Sequence, residues 1–199
     1  MLATIETFLL GFAAVIDTVL LLVLLERGNR PEVPIWLTWS FLGLWLLHVG
    51  DFLHSLLADS TGLTAVRLDV CCMTMMATGL MLLPTAVLHG GLRVLYTGDQ
   101  PRPKVDYRFN LVYLPILLVP FVAAHLFSSP GRDFRVSVQS YTWLFMSWLV
   151  LANCGAALCF YKAAPRLRRP QLMPFIRRFS LILLAISILV VAYLFVPTS

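Results

Sequence analysis

Residues 8–25 read FLLGFAAVIDTVLLLVLL, and Asp17 is the one charged side chain in the run. As a helix the run is ~27 Å long, close to the hydrocarbon thickness of a bilayer. Lipid offers no partner to backbone N–H and C=O groups, so a helix, which satisfies them internally, is the expected form. Further apolar stretches follow near 34–57, 68–91, 109–128, 138–161 and 178–196. Strand-like alternation is absent over these lengths, which argues against a barrel. Of the 199 residues, 59% are hydrophobic and only 13% charged, and the mean hydropathy is +0.84. A water-soluble core of this size cannot hide so much apolar surface. The expected fold is all-α, a polytopic transmembrane helix bundle with six spans, forming one integral membrane domain over 1–199.

The start of the chain carries Glu6 where a signal peptide would carry basic residues and a small-residue cleavage site, so the first span reads as retained. Charge then sorts the loops. Arg27 and Arg30 follow the first span; Arg93, Arg102, Lys104 and Arg108 follow the third; Lys162, Arg166, Arg168, Arg169, Arg177 and Arg178 follow the fifth. The opposite side holds Arg67, Arg132 and Arg135. Basic loops stay cytoplasmic, so the N-terminus is expected outside a cell inner (plasma) membrane crossed several times. This asymmetry accounts for the net charge of +5, and no nucleic-acid partner is needed to explain it. The longest connections, 92–108 and 162–177, are rich in proline, which sets stiff, extended loops. Ser199 follows the sixth span almost at once, which suits either a six-helix protein or one cut before a seventh helix.

Ionisable groups inside spans are costly and are candidates for function. Asp17 and His48 each lie ~14 Å below the outer ends of their spans. A hydrogen bond or ion pair between them is open to the first two helices if these pack together, as a sensing element or as a structural contact. The second span also holds His48-x-x-Asp51-x-x-His54, three residues apart on adjoining positions of one helical face. An Asp between two histidines can fix their tautomers or relay a proton; a wet, polar outer half of the helix is the plainer reading. His54 and His125 match in depth on different spans, so a b-type haem held between them is an alternative, although no cofactor is expected. Cys71, Cys72 and Asp69 lie at a similar depth, but adjacent cysteines point to different faces and no CxxC or HExxH spacing appears, so no metal site is assigned. His89 ends the third span, where a histidine commonly complements the helix dipole. Pro84, Pro115 and Pro120 are expected to kink the third and fourth spans. Asn153, Gln139, Ser147 and Thr78 read as interhelical hydrogen-bond formers, and Trp36, Trp39 and Tyr113 as interface anchors. No phosphate-binding glycine loop, GxSxG or kinase signature is present, so no catalytic residue is assigned and enzymatic activity stays open.

The second span reads GLWLLHVGDFLHSLL (43–57), and the third closes LMLLPTAVLHGGLRVL (80–95). These segments resemble the N-terminal seven-transmembrane input region of some bacterial sensor histidine kinases. In that group a Pro and a His mark the cytoplasmic end of the third helix, ahead of a basic loop. Pro84, His89 and Arg93 stand in those places and are, by the resemblance, the signal-relay candidates. A seventh helix and the dimerisation and ATP-binding modules are missing from these residues, so the resemblance implies an input region without its enzyme. The leading expectation is a membrane-embedded sensor domain of a two-component system. Its outward cleft would be lined by Glu6, Asp17, His48, Asp51, His54 and His125. Expected partners are membrane lipids, a cytoplasmic kinase module or other membrane subunits, and further copies of the chain. A haem-binding electron-transfer subunit and a structural subunit of a larger membrane complex remain as the alternatives.

Overall fold

The computed structural model describes residues 2–27, 35–57, 62–97, 107–128, 139–166, 171 and 173–194. Every regular element among them is helical. Helices α1 (Leu2–Arg27), α2 (Ile35–Leu57) and α3 (Leu63–Thr97) come first. A 3-10 segment (Tyr107–Leu118) leads into α4 (Val119–Ser128), followed by α5 (Gln139–Ala163) and α6 (Met173–Leu194). Five of these passages are long and apolar enough to cross a membrane, ending with Trp143–Ala163. The remaining helix, α6, has 22 residues and overlaps the expected sixth span.

Helix α3 exceeds its expected range at both ends, because nothing in 63–67 or 92–97 breaks a helix. It starts on Gly62, whose φ of 120° suits glycine alone, and whose carbonyl accepts the N–H of Val66 at 3.1 Å. It runs through Pro84 as one helix, with that proline fully buried. The expected loop at 92–108 therefore shrinks: its first residues are the last turns of α3, its end opens the 3-10 segment, and 98–106 lie outside the described residues. So do the side chains of Arg30, Arg102, Lys104, Arg108, Arg132, Arg135, Arg166, Arg168 and Arg169.

The expected fourth span is two pieces. Pro115 lies inside the 3-10 segment and Pro120 near the start of α4. Each lacks the N–H that an α-helical rung needs, and the chain winds more tightly ahead of them. At the longer 3-10 rise the two pieces together still reach roughly 39 Å, enough to cross.

Helix α3 is the hub. It packs against α2, α5, α4 and the 3-10 segment, while α1 leans on α2 and α6 on α5. One core joins Val70, Met73, Ala77 and Met81 of α3 to Val122 and Leu126 of α4 and Phe145 of α5. A second joins Val87 to Ala156, Ala157 and Phe160 of α5 and Leu183 of α6. Glycines let α2 and α3 approach backbone to backbone. A Cβ on Gly79 would stand 2.5 Å from the Gly43 carbonyl oxygen, and one on Gly50 2.9 Å from that of Cys72. Close approach of this kind is how helices gain contact where lipid is as apolar as leucine.

Candidate functional site

Helix α1 is apolar nearly all round, so its hydrophobic residues do not say which face meets the protein. Its buried residues are Ala14, Asp17 and Leu21, one stripe at helical spacing. Phe8, Phe12 and Val15 face outward. The stripe is fixed by polarity: a carboxyl turned to lipid would have no partner, so it turns to α2. There Nδ1–H of His48 donates to Oδ2 of Asp17 at 2.6 Å. One residue on, the Trp45 indole N–H donates to the Thr18 hydroxyl at 2.8 Å, and that hydroxyl donates to the Ala14 carbonyl at 2.7 Å. The Asp17 side chain is 7% exposed and that of His48 30%, so the carboxyl is sealed in the junction while the imidazole reaches its rim.

The next link lies two turns along α2. Nδ1–H of His54 donates to Oδ1 of Asp69, on α3, at 2.5 Å. These side chains are 25% and 22% exposed. A carboxylate only accepts, so in both pairs Nδ1 carries the proton and Nε2 is the nitrogen left to take a proton or a ligand. Helix α2 is thereby tied by histidine to both of its neighbours, α1 through His48 and α3 through His54.

Asp51 lies half-buried between these histidines on α2 and is itself engaged, while the Nδ1 atoms of both imidazoles are taken by carboxylates on other helices. The partner of His54 went unrecognised because the sequence offers a local carboxylate and does not show how the helices are rotated. Glu6 belongs to α1, with its side chain outside the described residues.

At the other end of α3, His89 is buried, with Nδ1 2.9 Å from the Tyr113 hydroxyl and the two rings edge to face. The hydroxyl can donate or accept, so it serves either tautomer. Tyr113 is thus an interhelical partner as well as an aromatic near a span end. Arg93, one turn on, is half-buried and engaged. Near Pro84, the Trp148 indole N–H of α5 donates to the Thr85 hydroxyl at 3.1 Å, and Thr85 itself donates to the Met81 carbonyl. The polar residues expected to bridge helices do less: Thr78 donates to its own helix at Thr74, Ser147 is exposed, and Gln139 has its side chain outside the described residues. Asn153 is buried.

His54 and His125 have separate partners. His125 stands edge-on to Tyr141 of α5, 6.0 Å between ring centroids, and α4 packs on α3 and the 3-10 segment rather than on α2. Cys71 is exposed and Cys72 buried, facing apart as adjacent helical residues do. Among the described residues no three His, Cys, Asp or Glu side chains gather as a metal site. Compared with protein-family models, with curated proteins and with solved structures, the chain finds no match.

Proposed function

We propose that the protein is a membrane-embedded sensor or signal-input unit, set in the inner membrane with its N-terminus outside and acting on a cytoplasmic kinase module. The observation that supports this reading is the double histidine–carboxylate tie of α2, to Asp17 on one side and to Asp69 on the other. Each tie joins two helices through an imidazole held against a carboxylate, inside a medium that magnifies any change of charge. Protonating an imidazole puts a positive donor on a bond whose acceptor is already a carboxylate, which makes the tie an ion pair. A ligand on Nε2 would act on the same bond from the other side of the ring. Either event biases the packing of α1 and α3 against α2, by no more than its affinity difference between the two packings. Asp51, Arg67, Cys71 and Cys72 are the other titratable groups on these helices near the ties. The hub α3 carries the bias along the relay candidates Pro84, His89 and Arg93, and from His89 to its partner Tyr113.

Spin labels at Ile5→Cys and Leu63→Cys, in a chain with its native cysteines replaced, report the spacing of α1 and α3. Both positions are exposed. In lipid nanodiscs the spacing is expected to shift between acidic and neutral buffer. Asp17→Asn with His54→Gln should abolish that shift. An unaltered spacing in the native pairings, with the helices intact, sinks the proposal.

A further inference from the structure

We propose that the rim where α5 meets α6 binds the headgroup of an anionic phospholipid through Lys162, Arg177 and Arg178. Residues 134–199 contain no Asp or Glu, yet they hold Arg135, Lys162, Arg166, Arg168, Arg169, Arg177 and Arg178. The cations of this rim therefore have no carboxylate in their own third of the chain. Among the described residues both ion pairs are histidine–aspartate pairs on α1, α2 and α3. Lys162, Arg177 and Arg178 are all exposed. The Arg177 guanidinium lies 6.0 Å from the centroid of the Tyr161 ring, which draws the α5 and α6 cations onto one rim. Two arginines early in α6 also oppose the positive end of that helix, a cost that a bound anion relieves.

The surface next to these cations points to a lipid rather than to a free anion. Tyr161 is 58% and Phe175 66% exposed beside them. One turn further into the bundle, Leu158 below Lys162 and Leu181 and Ile182 below the arginines are exposed in turn. A molecule with a phosphate at one end and acyl chains at the other meets both parts of this surface at once. Aromatic side chains at the headgroup level and clustered cations at a helix end are the ordinary elements of such recognition.

The test uses the full chain in vesicles of phosphatidylcholine, alone or mixed with phosphatidylglycerol. The protein is then extracted gently, and its retained lipid counted by native mass spectrometry. The native protein is expected to retain phosphatidylglycerol selectively. The triple variant Lys162→Gln, Arg177→Gln, Arg178→Gln should lose that retention on the order of 100-fold, about fivefold per cation. Arg67→Gln, an exposed cation at the start of α3, should keep it. Equal helical content by circular dichroism checks that the triple variant is folded, and Tyr161→Leu, which leaves every charge in place, gives a second, smaller loss. Equal retention of both lipids, or undiminished retention in the folded triple variant, overturns the proposal. So does displacement of the lipid by millimolar inorganic phosphate, or capture of an acidic polypeptide in its place.

Discussion

Asp17 and His48 form a pair whose members are unequal. The carboxyl is sealed between two helices, while the imidazole keeps access to the rim. Removing the imidazole strands a buried acid, and removing the acid leaves a histidine that can turn outward. Asp17→Ala and His48→Ala are therefore expected to be non-additive in reversible unfolding from detergent, with a coupling of roughly 0.5–2 kcal/mol. The His54–Asp69 pair has both side chains more evenly open to its surroundings, so its coupling should be the smaller. A coupling near zero for Asp17–His48, or the reverse ranking, contradicts the burial argument. The first pair was legible because an acid and an imidazole at matched depth on consecutive spans have few other partners. Asp69 was not legible as the mate of His54, since Asp51 offers the same chemistry three residues away. Trp45, Thr18, Tyr113 and Thr85 went unrecognised for another reason: in sequence, their polar atoms cannot be told from those of residues that only pack.

Helices α2 and α3 illustrate how an element can depend on what a residue lacks. Gly43 and Gly50 lie seven apart, on one face of α2, and Gly79 crosses them from α3. That spacing is readable in the sequence, but it becomes meaningful only once the partner glycine is known. Gly79→Ala puts a methyl group against backbone, which cannot rotate away, and is expected to cost roughly 1–3 kcal/mol of stability. Gly155→Ala is the control: its Cβ would meet the end of the Leu88 side chain at 3.1 Å, and that side chain can move. Similar losses for both, measured by the same unfolding assay, would show that the close approach of α2 and α3 is not what the glycines provide. The fourth passage shows the opposite case, where what prolines lack sets the element. Their positions announced an irregular span, and the structure shows the form it takes, a long 3-10 segment ahead of a short α-helix.

The molecule as a whole is organised around α3, with α1 packed chiefly on α2 and α6 chiefly on α5. Two-thirds of the most apolar 18-residue stretch of α3 is buried in protein, against 17% of that of α1. Hydrogen exchange in detergent micelles should follow that order. Amides of α1 and α6 are expected to exchange through local opening, and those at the centre of α3 only with global unfolding. Protection in α1 equal to that in α3 would refute the hub arrangement. The same layout bears on the proposed signalling. A helix packed chiefly on one neighbour moves at little cost, and the ties to α2 are the bonds such a movement strains or relaxes.

Composition and the length of the apolar runs were enough to establish the solvent, the helical form and the approximate place of each passage, because lipid penalises any backbone without internal hydrogen bonds. The distribution of Lys and Arg was likewise open to reading along a single dimension. The rotation of each helix about its axis was not. Helices apolar on every side give no moment that would point them inward, so the choice of Asp17 for His48, of Asp69 for His54 and of α3 as the centre belongs to the tertiary structure. There, close-packed glycines and a few polar bonds select one rotation among many that hydrophobicity leaves equal.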